Sequence, residues 1–237
     1  MANEPITPFQ DTRELRQAVL DTCFLMRDTL GYFVGTWGNI SARLKEGLLV
    51  TPTRANYEEL KPEDLPVVSW EGVPLKGERL PTSETELHRQ LYLERPDLAA
   101  LIHHHAAWSS VFACAHRPIP VITDDMAMVV GGEVRCAPYM PAGRHHELAQ
   151  AVRAAIGPDA QAVLMSNHGT ICGGRTLEEA VLCCQFVEKA AMIFLLGQQL
   201  GGVQPLAEAQ WREERDHYML KYGKAADLAG VLVEKPK

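Results

Sequence analysis

The stretch Ala100-Leu-Ile-His-His-His-Ala106 is a short apolar run that carries three consecutive histidines. In a β-strand successive side chains point to opposite faces, so His103 and His105 would share one face and His104 would point to the other. Two imidazoles about 7 Å apart along a strand can bind one metal ion. The run therefore predicts a buried strand with a pair of candidate metal ligands on one side.

A second histidine segment, Ser166-Asn-His-Gly169, follows another apolar run. A third nitrogen ligand and a carboxylate would complete a four-coordinate site, and His168 and Glu84 are the candidates. Such a site suits Zn²⁺, with Mn²⁺, Fe²⁺ and Co²⁺ as alternatives. The residues alone also allow a set of hydrogen-bonded core histidines. Glu84 likewise has an alternative role in a helix's first turn, where a carboxylate stabilises the helix by about 0.3–1 kcal/mol.

The composition is that of a soluble globular protein. The chain has 237 residues, of which 46% are hydrophobic and 22% charged, and this length fits one large domain with a full core. The net charge of −7 and the lack of basic runs argue against nucleic acid or a membrane surface as partner. We find no signal-peptide pattern, no apolar run near 18 residues and no CxxC among the six cysteines, so we expect a cytoplasmic protein with reduced thiols.

Helical and strand-like patterns alternate along the chain, which predicts one α/β domain. Ser83 and Glu86, three residues apart, form the pattern of a capping box and place Glu84 in the first turn of a helix. Further helices are predicted over 12–30, 108–115, 146–156, 176–200 and 207–222. Strands are predicted over 35–43, 47–51, 98–103, 134–138 and 162–166, with a hairpin over 65–80 that turns at Glu71-Gly72.

Four motifs follow one another in a distinctive order: Gly38-Asn-Ile-Ser41, Thr51-Pro-Thr53, Thr82-Ser-Glu84 with His103-His-His105, and Asn167-His-Gly169. Over about residues 12–223 this order resembles the class II aldolase/adducin family, which includes L-fuculose-1-phosphate aldolase and L-ribulose-5-phosphate 4-epimerase. The resemblance implies an α/β fold: a three-layer α/β/α sandwich with a mainly antiparallel central sheet, in one domain over 1–237. It also implies a C4 homotetramer with sites between neighbouring subunits.

For the site, the resemblance implies zinc held by His103, His105 and His168, with Glu84 as a fourth ligand that the substrate displaces. The freed glutamate then serves as general acid/base, and the ion acts as a Lewis acid on the enediolate left by carbon–carbon cleavage. The implied reaction cleaves a ketose phosphate to dihydroxyacetone phosphate and an aldehyde. A related decarboxylase, epimerase or dehydratase is the alternative, and a non-catalytic adducin-like binding module is a third reading.

The family's phosphate pocket carries over to Asn39, Thr53, Thr82 and Ser83, with a helix N-terminus adding anion attraction. Where the family usually has glycine, this chain has Arg54. Arginine can bind a phosphate or a carboxylate with two parallel hydrogen bonds. The anionic group of the substrate is therefore open at this point.

Two further catalytic candidates come from the same resemblance. Tyr222 matches a functional tyrosine near the C-terminus. In fuculose-phosphate aldolases another tyrosine follows an Ile-Pro segment and donates a proton across the subunit interface. The corresponding stretch here is Pro120-Val-Ile-Thr-Asp-Asp-Met126, in which Asp124 or Thr123 occupies that position. We take Asp124 as the candidate, and with Arg54 it favours the decarboxylase alternative.

Overall fold

The secondary structure is taken from a computed structural model that describes residues 5–141 and 143–222, apart from the side chains of 221 and 222. Within these residues there are eight strands: β1 (Asn39–Arg43), β2 (Gly47–Val50), β3 (Val67–Ser69), β4 (Pro74–Lys76), β5 (Ala100–His104), β6 (Cys136–Ala137), β7 (Ala162–Met165) and β8 (Gly169–Gly174). The same residues form six α-helices: α1 (Arg13–Phe24), α2 (Thr85–Glu94), α3 (Ala107–Ala115), α4 (His145–Ile156), α5 (Leu177–Gly197) and α6 (Glu208–His217).

The strands form one sheet in the order β4-β3-β2-β1-β5-β8-β7-β6. All neighbouring pairs are antiparallel except β6 and β7, which are parallel. The histidine strand β5 lies between β1 and β8, and its His103 is opposite Asn39 on one side and Ile171 on the other. Every residue of β5 is buried, as its apolar sequence predicted.

Helices cover both faces of this sheet. One hydrophobic core packs residues of α1, α3 and α5 against one face, and Ile102 of β5 points into it. A second core packs α2 and α4 against the other face, and the adjacent Leu101 points there. Successive side chains of β5 thus point alternately into one core and the other. The predicted three-layer α/β/α sandwich with a mainly antiparallel sheet is confirmed.

Two helix starts agree with the sequence, and one does not. Thr12 caps α1 by accepting a hydrogen bond from the backbone N–H of Leu15 at 3.2 Å, and Thr176 caps α5 in the same way. The capping box predicted at Ser83 is wrong: α2 begins at Thr85, with Glu84 at the cap position and no side-chain cap. The Glu86 carboxylate pairs instead with Arg89, at 2.8 Å.

Helix α5 with its following turn (Leu177–Leu200) is long and apolar enough, by length and composition alone, to cross a membrane. The core helix of a soluble protein passes the same test. Ten of its residues are buried in this structure, among them Glu179 and Glu188, and the helix packs along β8 and α3. Its apolar length is explained by its place in the core.

Candidate metal centre

Three histidines converge at the end of the central strands. His103 belongs to β5, His105 follows that strand, and His168 lies in the turn between β7 and β8. One ligand nitrogen from each ring lies within 4.8 Å of the other two. Glu84 reaches the same point, with Oε2 3.3 Å from Nε2 of His103 and Oε1 3.2 Å from Nε2 of His168. The structure brings together all four residues named as metal ligands.

A hydrogen bond to the backbone fixes the orientation of the His103 ring, so that Nε2 is the nitrogen that faces the cluster. Its Nδ1 lies 3.0 Å from the carbonyl oxygen of Thr170. A carbonyl only accepts, so Nδ1 carries a proton, and in the neutral form of the ring, which is the form that binds metals, Nε2 carries a lone pair. That buried Nε2 has no hydrogen-bond partner among the described residues, and it faces a carboxylate oxygen of Glu84. Two lone pairs directed at each other in a buried site call for a cation between them, so these residues fit a divalent metal.

The protonation states suit metal binding. Burial, together with the neighbouring His103, lowers the pKa of His105 to about 3, and burial also lowers the pKa of His168. Burial on its own raises the pKa of Glu84, but His103, His168 and the amide of Asn39 outweigh it and bring the value to about 2. At neutral pH the imidazoles of His105 and His168 are therefore neutral and the Glu84 carboxylate is ionised, which are the forms that bind metals.

His104 points to the opposite face, as the alternation predicted. It lies near Cys172 and Cys184, and the three form a second cluster of buried ligand-type atoms. The Nδ1 of His104 accepts from the backbone N–H of Ala106 at 3.3 Å, which leaves Nε2 as a donor toward Cys172 Sγ at 3.7 Å. Both ring nitrogens therefore have protein partners, and this cluster is a hydrogen-bonded core.

The phosphate-pocket candidates lie on two adjoining loops beside Glu84. The backbone N–H of Thr53 donates to the carbonyl of Leu80, and that of Thr82 donates to the carbonyl of Thr51, both at 3.0 Å. This antiparallel pairing is centred on Pro52 and Pro81 and places Thr53 opposite Leu80 and Thr82 opposite Thr51. Asn39, the first residue of β1, donates through Nδ2 to Oε2 of Glu84 at 2.7 Å. The arrangement joins the histidine cluster to a set of polar donors.

Comparison with known proteins identifies the family of this chain. The model of the "Class II Aldolase and Adducin N-terminal domain" matches residues 17–195. The chain belongs to the class II aldolase and adducin family. A relative from Rhodospirillum rubrum, a 5-methylthioribulose-1-phosphate/5-deoxyribulose-1-phosphate aldolase, is 37% identical over 177 residues, which cover 75% of this chain and 78% of the relative.

Other members of this family agree in sequence and fold. An L-fuculose phosphate aldolase of Escherichia coli O6:H1 is 35% identical over 78% of this chain and 84% of its own length. The solved structure of an L-fuculose 1-phosphate aldolase superimposes with a TM-score of 0.82 at 30% identity, covering 88% of this chain and 98% of that one. The chain is accordingly a lyase of the class II aldolase type, as its motifs predicted.

Of the two remaining catalytic candidates, Asp124 is not brought to the histidines within the described residues. Asp124 is exposed, and among the described residues it makes no hydrogen bond or ion pair with the four ligand candidates. Its neighbour Asp125 instead pairs with Lys189. The side chain of Tyr222 lies outside the described residues. The assignment of Asp124 was made for a site shared between subunits, that of Tyr222 for a functional tyrosine near the C-terminus, and both stay predictions.

Two residues at the site were not assigned a functional role from the sequence. Trp37, which is 66% exposed, places its ring edge against His105 with 5.9 Å between ring centroids. Its signal in the sequence is a tryptophan directly before the Gly38-Asn-Ile-Ser41 motif. The second residue is His88, whose Nε2 lies 2.5 Å from Oδ1 of Asn39. Its signal is the spacing of four residues from Glu84, which places both on one face of a helix.

Gly169 allows β8 to approach the histidine strand closely. An added Cβ would lie 2.6 Å from the backbone oxygen of His104 and 2.9 Å from Cε1 of His103. We expect Gly169→Ala to lower the free energy of unfolding by about 1–3 kcal/mol and to weaken metal binding, since overpacking displaces His103. Thermal unfolding with and without added Zn²⁺ measures both. The matched control is Gly132→Ala, where the nearest atom is 3.3 Å away; equal losses in the two variants would contradict this account.

Proposed function

We propose that this class II aldolase is a zinc enzyme that cleaves a ketose phosphate to dihydroxyacetone phosphate and an aldehyde. The observation that carries the proposal is the unpartnered Nε2 of His103, which faces the Glu84 carboxylate. The neutral imidazoles of His105 and His168 lie in the same cluster. The substrate class is supported by the relatives, whose names are those of ketose phosphate aldolases. Six free cysteines among the described residues support a reducing, cytoplasmic setting.

His103, His105, His168 and Glu84 would hold the metal. When bound, a divalent ion supplies Lewis-acid stabilisation of negative charge on substrate oxygens. Glu84 performs the proton transfer at the carbon that loses its bond to the aldehyde carbon. Its pKa is low only while His103, His168 and Asn39 contact it, because burial acts in the opposite direction. Once the substrate displaces the carboxylate from these contacts, burial raises its pKa, so that near neutral pH Glu84 can take up a proton from solvent and deliver it to that carbon in cleavage, or remove it in the reverse direction.

A second proton must leave the hydroxyl group that becomes the aldehyde oxygen. We assign this transfer to Asp124 of a neighbouring subunit in a homotetramer, with Tyr222 as a further catalytic residue of the shared site. The exposure of Asp124 is compatible with a role at an interface. The exposed Trp37 and Val34 beside the histidines also favour an interface there, because large exposed apolar side chains next to a site often mark one.

Asn39, Thr53, Thr82, Ser83 and Arg54 would bind the substrate phosphate. Two observations support this assignment: the segment with Thr53 pairs through its backbone with the segment that leads into Glu84, and Asn39 donates to the Glu84 carboxylate. The start of α2, directly after Glu84, adds backbone N–H groups that favour an anion.

Arg54 is held in an unusual backbone conformation, with φ of +50°, where L-residues other than Asn and Gly are strained. We expect Arg54→Gly to raise the KM for a sugar phosphate by about 10–100-fold, because charge-assisted hydrogen bonds to the phosphate are lost. The same change should leave the protein at least as stable, because glycine relieves the strain. KM from steady-state rates and thermal unfolding test the two parts. Arg54→Lys is the control that keeps the charge, and an unchanged KM in Arg54→Gly would refute phosphate binding by Arg54.

A decarboxylase is the second candidate, because a guanidinium at position 54 also suits a carboxylate. The two activities differ in their products. Metal-loaded protein is incubated with 5-methylthioribulose 1-phosphate, 5-deoxyribulose 1-phosphate and L-fuculose 1-phosphate, and with sugar acids, while dihydroxyacetone phosphate and CO₂ are both measured. We expect dihydroxyacetone phosphate from at least one ketose phosphate. Release of CO₂ alone would replace the aldolase proposal with the decarboxylase.

A further inference from the structure

A chain of buried hydrogen bonds leads away from Glu84 into the space between the sheet and α2. We propose that His88 is a positioning residue that fixes the amide of Asn39 and, through it, the carboxylate of Glu84. The inference rests on the proposed function, because it gives His88 a part in holding the acid/base of that reaction. In the described contacts the side chain of His88 hydrogen-bonds to none of the three histidines of the cluster, and Asn39 is its one partner in the phosphate pocket.

The chain has four links. Asn39 Nδ2 donates to Glu84 Oε2 at 2.7 Å, and Asn39 Oδ1 lies 2.5 Å from His88 Nε2. His88 Nδ1 lies 2.7 Å from the Ser41 hydroxyl, which in turn lies 2.9 Å from the hydroxyl of Tyr92. All five residues are buried, and His88 has no exposed surface. Glu84 at the cap of α2 and His88 and Tyr92 within α2 alternate along the chain with Asn39 and Ser41 of β1.

The donors and acceptors in this chain can be assigned in only one direction. An ionised carboxylate only accepts, so Asn39 turns its NH₂ toward Glu84 and its oxygen toward His88. The oxygen needs a donor, so His88 carries its proton on Nε2 and accepts at Nδ1 from the Ser41 hydroxyl. Burial lowers the pKa of His88 to about 3, so the ring is neutral and has one proton to place. The Tyr92 hydroxyl also reaches the carbonyl of Ser41, at 3.0 Å.

This direction locks the Asn39 amide. If the amide turned over, its oxygen would face the Glu84 carboxylate and its NH₂ would face the N–H of His88, giving two repulsive contacts in a buried site. Nδ2 of Asn39 therefore stays directed at the active site. When Glu84 leaves in the proposed reaction, the same N–H group is available to an incoming anion without any rotation of the side chain. Preorganised donors of this kind need no rearrangement during the reaction.

The first test uses paired variants in metal-loaded protein. His88→Leu removes the donor to Asn39, whereas a His88→Gln side chain can place an amide N–H near the position of Nε2. We expect His88→Leu to lower kcat/KM by about 10–100-fold and His88→Gln to recover most of that loss. In an Asn39→Ala background His88→Leu should change kcat/KM by less than about twofold, because a residue that acts only through Asn39 has nothing left to act on. Equal losses in both backgrounds would overturn the proposal.

The second test needs no activity. In metal-free protein labelled with ¹⁵N, long-range proton–nitrogen spectra report which ring nitrogen of His88 carries the proton. We expect the Nε2–H form; the Nδ1–H form would overturn the inference even if His88→Leu fails to fold. The positioning role and the proposed reaction can fail separately. The reaction fails if wild-type protein cleaves no ketose phosphate. The positioning role still stands if His88 shows the Nε2–H form and if His88→Leu lowers the Zn²⁺ affinity of wild type but does not lower that of Asn39→Ala further. If wild type and His88→Leu bound Zn²⁺ with equal affinity, His88 would not position the Glu84 carboxylate.

Discussion

Glu84→Gln is expected to lower kcat by about 10²–10⁴-fold while the protein stays folded, because glutamine has the same shape but cannot take up the proton. The amide oxygen of glutamine can still accept the hydrogen bond from Asn39 that the carboxylate accepts at 2.7 Å. The measurements are release of dihydroxyacetone phosphate in steady state, the melting temperature and the metal content. A loss of activity without a large change in melting temperature separates catalysis from folding.

Glu86→Gln is the matched control for that experiment. Glu86 lies one position into α2 beyond Thr85 and pairs with Arg89 near the surface, with a quarter of its side chain exposed. We expect its turnover to remain within about twofold of wild type, since surface ion pairs contribute little. If Glu84→Gln kept wild-type turnover, Glu84 would not be the acid/base of the reaction.

The double variant His103→Ala/His105→Ala is expected to lose both the bound metal and all metal-dependent turnover. A complete zinc site contributes about 10–16 kcal/mol of binding free energy, so removal of two of four ligands should lower the affinity by at least about 10³-fold. Metal content after dialysis and a chelator-competition titration measure the loss. A double variant that retained one metal per chain would place the site elsewhere.

A surface pair of histidines provides the control for that variant. His145 and His146 begin α4, and the side chain of His146 is 63% exposed, with contacts to Glu86 at 3.4 Å and to Gln150 at 2.9 Å. His145→Ala/His146→Ala also removes two imidazoles but leaves all four ligand candidates in place. We expect unchanged metal content and turnover in this control.

The sequence predicted the parts of the site that follow from local geometry. The period of two along a strand separates His103 and His105 from His104, and the structure places them on the faces that this rule requires. The layered fold was predicted through family resemblance, since the pairing of β5 with β1 and β8 joins segments that are distant in the chain. Local patterns carry no information on such pairings.

The sequence failed where tertiary contacts outweigh local preference. Ser83 and Glu86 have the spacing of a capping box, but Glu84 takes the cap position while its carboxylate reaches toward His103 and His168. His88 received no role at the site from the sequence because its partners are contributed by β1, which no spacing on α2 reveals. The proposed role of Asp124 needs a neighbouring subunit, and the side chain of Tyr222 lies outside the described residues, so both stay predictions.

The most direct test is a titration of metal into metal-free enzyme. Protein stripped with a chelator is reconstituted with increasing Zn²⁺, and the rate of dihydroxyacetone phosphate release from 5-methylthioribulose 1-phosphate, 5-deoxyribulose 1-phosphate and L-fuculose 1-phosphate is followed at each addition. We expect no turnover without metal and a linear rise that ends at one Zn²⁺ per chain, the capacity of the site built from His103, His105, His168 and Glu84. Full turnover in the stripped protein, or wild-type protein that binds no divalent metal, would contradict the account.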